Sequence, residues 1–458
     1  MNGGEKEVRY SWKDIPALLR TPIGRSQLTF SIWYQSLPIL SRLASLYRRT
    51  LVRNTRVVAV VGSFGKTTTK RALLTALGRD VHQRSGSYIW NFKALAVLRI
   101  RPCDRHVVIE VGIDGPGQMA AFARVIRPDV TVVTSIGSEH NRSLGSLEMT
   151  RAEKSEMVRI LSTSGIAVLN GDDPNVLWMK SQTCARVITF GIDKTNDICA
   201  SAITLDWPNG TRFKLHADGE TRNLRIRLIG KHMVYPILAA VAVSLAEGFT
   251  LDQVVPVLEA LPPTPGRLEP IQLANGAIIL RDDFKSALET IEAALEVLSK
   301  IPAQRRIVVL GEVEEPPGSQ GPIYRQIGER IAKIASYAIF VGGNYQPYAA
   351  GAVRGGLPRD VLINAQRSLL KAVEALRESL GPGDVVLIKG RTNQRLERVA
   401  FALAGRKVKC NISFCDMKVL CENCPMLERG WEDLKAVKSR YMKSEGGSYR
   451  EANEEMKP

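Results

Sequence analysis

One segment constrains the fold of this chain more than any other: VVAVVGSFGKTTTKRALLTAL, residues 57–77. A β-branched run enters a glycine-bearing turn, and the turn opens directly into a helical pattern. A short, continuous apolar run of this kind suits a strand buried on both faces, as in a parallel α/β sheet. In the turn, Gly62 and Gly65 let the backbone bend tightly and aim its N–H groups at a phosphate. The helix N-terminus that follows adds positive potential. Lys66 is placed to reach terminal phosphates and Thr67 to ligate Mg²⁺, with Thr68 completing the Lys-Thr-Thr run. Val60 stands where the usual P-loop has its first glycine, so the motif is a shortened G-x-x-G-K-T-T. A fortuitous strand–turn–helix with a surface lysine is the alternative. The ordered occurrence of strand, glycines, Lys-Thr and helix favours an ATP site.

The rest of the chain repeats this grammar. Its 458 residues imply two or three domains. Further β-branched runs at 107–111, 130–135, 167–170 and 187–190 alternate with helical patterns up to about residue 260. The turn-rich LPPTPG at 261–266 reads as an interdomain linker. Runs then resume at 277–280, 307–310, 338–341 and 385–388, separated by helical stretches such as 287–299 and 368–380. The expected fold class is α/β. Residues 1–54 form a basic helical segment and 55–262 an α/β domain with a parallel sheet and the phosphate loop. A second α/β domain follows at 263–409, then a Cys-rich segment and polar tail at 410–458.

The formal charge of +17 is high for a metabolic enzyme, and part of it is local. Residues 1–56 hold ten Lys or Arg against three acids, and 42–56 holds five arginines and no acid. Such a stretch attracts an anionic substrate, anionic lipid or nucleic acid, unless it is only a solvated helix. With no aromatic-interleaved basic run elsewhere, nucleic acid is the least favoured partner. An anionic acceptor substrate is the sharper expectation, with peripheral contact at the inner face of the membrane beside it. The apolar stretch 28–47 contains Gln35, Pro38 and Arg42 and makes a poor membrane span. No secretory pattern is visible and the cysteine count is odd, so the cytoplasm is expected.

Three downstream residues could complete a Mg-ATP site. Glu110 ends a strand-like run, where an open α/β sheet places its ligand chemistry. His140 closes DVTVVTSIGSEH, again just beyond a strand, and Lys154 sits on a helix expected over 147–160. Each has an ordinary alternative: a solvated strand end, a satisfied loop histidine, a surface lysine. Their occurrence together with the phosphate loop is what points to metal-assisted phosphoryl chemistry.

GSFGKTTTK, VVIEVG, TSIGSEHNRSLGSLEMTRAEKSEM, LNGDDP, TFG, PGRLE and GDVVLIKGR occur here in that order. Over about residues 55–405 this ordered set resembles the Mur ligase superfamily, and within it the D-alanyl-D-alanine-adding, MurF-like branch. The resemblance implies that 55–262 is a P-loop-type ATPase domain, that 263–409 is a Rossmann-like domain closing over the nucleotide, and that an acyl phosphate forms which an amine attacks. It implies that Lys66 and Thr67 bind phosphate and that Glu110 and His140 ligate Mg²⁺. Lys154 corresponds to a lysine the family can carbamylate to hold a second Mg²⁺. Asn91 falls on the substrate and phosphate side. Arg267 and Asp283 resemble groups that meet ATP on closure, and Lys285 a lysine directed at the γ-phosphate. Lys389 and Arg391 stand where that domain would face the cleft.

Three departures bear on the substrate. In place of G-[RK]-H-N-x-x-N the chain has Gly230-Lys-His232-Met233-Val-Tyr-Pro236, without either asparagine. Only about 55 residues precede the loop, so the usual N-terminal UDP-binding domain is expected to be missing. DDFKSALET lacks the Asn-x-Asn-Pro of the MurF-like branch. The expected reaction is therefore amide formation between an anionic small-molecule or glycopeptide carboxylate, of cell-envelope type, and an amine. A polyglutamate- or cofactor-amidating ligase is the alternative within the family. A non-catalytic ATP-binding regulator is the alternative outside it.

Near the end, Cys410-x4-Cys415-x5-Cys421-x2-Cys424 places four thiols within fifteen residues. Structural Zn²⁺ is the first expectation, with an iron–sulfur cluster or unliganded thiols as alternatives.

Overall fold

Apolar runs bounded by glycine or polar turns become the central strands of two sheets. The computed structural model describes residues 12–13, 15–20, 24–25, 28–29, 36–78, 93–113, 115–138, 144–316, 318–415, 419–430 and 442–444. The chain divides into two compact units, one of Met1–Glu7 and Ile32–Thr264, the other of Val8–Ser31 and Pro265–Pro458.

The first unit carries α1 (Leu37–Arg49), β1 (Arg56–Val61), α2 (Lys66–Ala76), α3 (Lys93–Leu98), β2 (His106–Glu110), α4 (Gln118–Ile126) and β3 (Val130–Val133). It continues with α5 (Leu147–Arg159), β4 (Ile166–Asn170), β5 (Arg186–Gly191), β6 (Ile198–Asp206), β7 (Gly210–Ala217), β8 (Glu220–Ile226), α6 (Val234–Ala246) and α7 (Leu251–Glu259). Its eight strands run in the order β2-β1-β3-β4-β5-β6-β7-β8. β2 through β6 pair in parallel, with Val60 opposite Glu110 on one side of β1 and opposite Val132 on the other. This register sets the C-terminal ends of β1, β2 and β3 side by side. β6, β7 and β8 instead form an antiparallel meander that the runs of apolar residues did not announce. In β7, buried Phe213 and Leu215 alternate with exposed Arg212 and Lys214, the period-2 pattern of a sheet with one wet face.

The basic stretch before β1 is built into this unit rather than appended to it. Ala44 of α1 and Val52 join the core that holds Val57, Ala59 and Val61. Arg48 is buried: its guanidinium donates to the carbonyls of Val52, Ile126 and Arg127 and to Asp129 Oδ2 at 2.7 Å. Arg56 pairs with Glu247 at 2.6 Å. Two of the five arginines in 42–56 are thus structural, which corrects the reading of the whole stretch as an open anion-attracting surface. No helix among the described residues is long and apolar enough to cross a membrane.

The second unit holds β9 (Glu269–Gln272), β10 (Ile278–Asp282), α8 (Leu288–Lys300), β11 (Arg306–Leu310), α9 (Gln320–Ala332), β12 (Tyr337–Val341) and α10 (Tyr345–Arg354). β13 (Leu362–Gln366), α11 (Leu369–Arg377), β14 (Val385–Lys389), α12 (Glu397–Leu403), β15 (Ile412–Cys415) and β16 (Met442–Ser444) complete it. Six strands form one sheet in the order β13-β12-β11-β14-β10-β9, parallel except for the edge strand β9. The doubly wound α/β architecture expected for this half is the one observed. β15 and β16 make a separate antiparallel pair.

Candidate nucleotide and phosphoryl-transfer site

The loop between β1 and α2 is shaped by two glycines in the left-handed half of conformational space, Gly62 at φ 142° and Gly65 at φ 82°. A Cβ at Gly62 would lie 2.0 Å from Thr134 Oγ1, so the close approach of β3's end demands glycine there. That approach is then used. Ser63 N donates to Ser135 O at 2.7 Å, Phe64 N donates to Ser135 Oγ at 2.9 Å, and Thr134 Oγ1 donates to Phe64 O at 2.5 Å. The loop is held from the neighbouring strand end before any ligand arrives. Lys66, at the first position of α2, is buried and its ammonium donates to Gly62 O and Ser63 O, each at 2.8 Å. A cation is thereby fixed against the loop that faces the helix N-terminus.

Thr67 Oγ1 and Glu110 Oε1 are 3.1 Å apart, the hydroxyl donating to the carboxylate. The parallel register of β1 and β2 makes this contact, because it brings Glu110 to the sheet edge from which α2 starts. Two hard oxygen donors side by side are what Mg²⁺ takes. Lys154 lies on α5, which Ser146 caps by accepting from Met149 N at 3.2 Å. Its side chain is 1% exposed and its Nζ donates to Ser63 Oγ at 2.9 Å. The same hydroxyl accepts from Gly137 N at 2.9 Å, so three segments meet at one loop oxygen. Asn91 and His140 lie outside the described residues.

In the second unit, the guanidinium of Arg267 stacks on the Phe284 ring at 4.2 Å. Asp283 is buried, with Oδ2 accepting from Arg281 Nε at 2.7 Å. Burial pushes the Asp283 carboxyl up, against the pull of Arg281. Lys285 pairs with Glu314 at 3.5 Å. Lys389, expected to face a cleft, is instead buried, with Nζ on Asp282 Oδ2 at 2.7 Å and on Lys285 O at 2.5 Å. It holds the 282–285 turn rather than lining a site.

The profile of the Mur ligase middle domain matches residues 60–244, and that of the Mur ligase glutamate ligase domain matches 266–392. The UDP-N-acetylmuramoyl-tripeptide–D-alanyl-D-alanine ligase of Mycobacterium tuberculosis is 31% identical over 391 residues, covering 80% of this chain and 76% of that one. The chain belongs to the Mur ligase family. It is accordingly an ATP-dependent ligase that joins an acid to an amino compound. The Escherichia coli ligase of the same description is 29% identical over 353 residues, covering 76% of each chain. In fold, the chain is similar to MurF from Acinetobacter baumannii, with a TM-score of 0.69, 23% identity and 80% of each chain covered. It is similar as well to MurF from Thermotoga maritima in complex with ADP, with a TM-score of 0.70, 22% identity, and 81% of this chain and 84% of that one covered.

The middle-domain match of this Mur ligase takes in the loop, Glu110 and Lys154; the second match takes in Arg267, Asp283 and Lys285. Sequence reasoning missed the groups that hold the loop. Ser63 occupies an "x" of the motif and Ser135 lies in TSIGSEH, yet both are small hydroxyls just past apolar runs, the one signal available. It also passed over Lys93, whose Nζ donates to Glu110 O at 2.8 Å, and Lys70, whose ammonium burial pushes down while Glu110 opposes.

The four late cysteines of this Mur ligase, Cys410, Cys415, Cys421 and Cys424, belong to the second unit. Among the described residues, no three His, Cys, Asp or Glu side chains are grouped so as to hold a metal ion. Among Cys410, Cys415, Cys421 and Cys424, the thiols expected to hold zinc, stands the fully buried Arg398. Its Nε donates to Cys421 Sγ at 3.2 Å and its Nη1 to Ile412 O at 2.5 Å, while Arg395 Nε donates to Cys415 O at 3.1 Å. Burial pushes the Cys421 thiol well up, and Glu397 adds to this.

Proposed function

We propose that this Mur ligase joins D-alanyl-D-alanine to the carboxylate of a UDP-N-acetylmuramoyl-tripeptide. The observation that carries the reading is likeness across both domains to ligases of that description, at 29–31% identity. In this reading the substrate carboxylate attacks the γ-phosphorus of ATP, and ADP leaves. The amine then attacks the acyl carbon, and inorganic phosphate leaves with one former carboxylate oxygen.

The residues are assigned accordingly. Lys66 neutralises charge on the phosphoryl group in transfer, while the loop N–H groups and the α2 N-terminus hold the nucleotide phosphates. Thr67 and Glu110, with His140, would hold Mg²⁺; bound there, the ion supplies charge neutralisation between the phosphates. Lys154, fixed on Ser63, adds a carboxylate to that site once its amine has taken up CO₂. Asn91 serves the substrate side. Arg267, Asp283 and Lys285 serve the nucleotide.

Mass spectrometry of a reaction containing ATP, Mg²⁺, the UDP-linked tripeptide and D-alanyl-D-alanine tests the proposal. The expected product is the pentapeptide-length adduct. An adduct formed only with another amine, such as glutamate, would overturn the choice of substrate while leaving the ligase intact.

A further inference from the structure

α1 has one face that serves the fold and one that does not. Ala44 and Arg48 are buried against the first unit. On the opposite side Ile39, Leu43 and Leu46 recur at i, i+4 and i+7 and are 65%, 51% and 61% exposed. Leu51, in the turn after the helix, is 66% exposed. Single exposed aliphatics need no explanation, but three on one helix face with a fourth just beyond its end do. Arg42 and Arg49 of the helix and Arg53 of the turn after it are exposed as well. From Ile15 to Arg79 the chain contains no Asp or Glu.

We infer that this face of α1 docks on an anionic lipid surface, with Ile39, Leu43, Leu46 and Leu51 entering the headgroup boundary and Arg42, Arg49 and Arg53 meeting lipid phosphates. A helix with an apolar row flanked by arginines lies in the plane of such an interface. The arginines decide the occupant. A second copy of this face would set Arg42, Arg49 and Arg53 against their own equivalents, whereas an anionic leaflet neutralises them. Arg48 and Arg56 take no part, because Asp129 and Glu247 already hold them. The inference stands apart from the choice of ligase substrate and survives its failure.

Sedimentation of the full chain with sucrose-loaded vesicles tests it. Binding is expected to phosphatidylcholine vesicles containing phosphatidylglycerol, weak binding to phosphatidylcholine alone, and loss of binding at high salt. Arg42→Gln, Arg49→Gln and Arg53→Gln together should weaken binding roughly a hundredfold. Leu43→Ser with Leu46→Ser should abolish it, while ATP turnover and thermal midpoint show that the chain is folded. Folded wild-type protein that ignores anionic vesicles would overturn the inference, as would vesicle binding untouched by either set of changes. A dimer in sedimentation equilibrium that Leu43→Ser with Leu46→Ser dissociates, with no vesicle binding, would assign the face to a second copy instead.

Discussion

Lys154 Nζ donates to Ser63 Oγ at 2.9 Å, tying a helix that begins 81 residues after Lys66 to the centre of the phosphate loop. In the proposed function this buried amine takes up CO₂ to become a carbamate. ATP-dependent turnover should therefore rise with added bicarbonate when CO₂ is limiting. Lys154→Ala should lose activity and regain part of it with short carboxylic acids, which can occupy the vacated position. A variant unaffected by either treatment would leave Lys154 with a structural role only.

Lys66→Ala should lower ATP turnover by roughly 10²- to 10³-fold, the scale of losing one group that stabilises transition-state charge. Circular dichroism and thermal melting should stay near wild type. Near-normal kcat in a folded variant would remove the phosphate-loop assignment.

Gly62→Ala should fail differently, through the fold. The added methyl meets Thr134 Oγ1 in a backbone conformation that L-residues rarely adopt, so a loss on the order of 1–3 kcal/mol is expected. Urea unfolding reads this directly. Pairing it with Thr134→Ala should recover part of the loss by clearing the space, which a purely functional glycine would not do.

How much of this was legible before folding depends on how each residue announces itself. The β1–loop–α2 unit could be read because an apolar run, glycines and Lys-Thr occur in order. Glu110 could be read because strand ends in such sheets carry ligand chemistry. The meander β6–β8 was hidden because strands with one wet face interleave charges such as Arg212 and Lys214. Arg48 was hidden more deeply. An arginine in a basic run reads as surface, and only Asp129, 81 residues away in sequence, reveals it as core. The cysteine spacing likewise could not foretell that Arg398 would stand among the thiols.

Glu247 gives the first unit a defined response to acid. Burial pushes its carboxyl up, but hydrogen bonds from His106 and Arg56, and the charge on both, outweigh it and lower the value from 4.5 to about 2. Because the folded value is depressed, the stabilisation is complete above about pH 4.5 and is lost as pH falls towards 2. It is on the order of 3 kcal/mol. Between pH 5 and pH 3, urea midpoints should fall more for wild type than for Glu247→Gln. Parallel declines would show that the Glu247 carboxylate is not held by these partners.

Oxygen transfer tests the central claim, ATP-driven ligation through an acyl phosphate, most directly. The acid substrate is labelled with ¹⁸O in its reacting carboxylate and turned over with ATP, Mg²⁺ and the amine, and the released phosphate is analysed by mass. We predict one labelled oxygen in each phosphate and one amide formed per phosphate. Phosphate released without label, or without an amide, would contradict ligation and leave an ATP-binding protein that only hydrolyses its nucleotide.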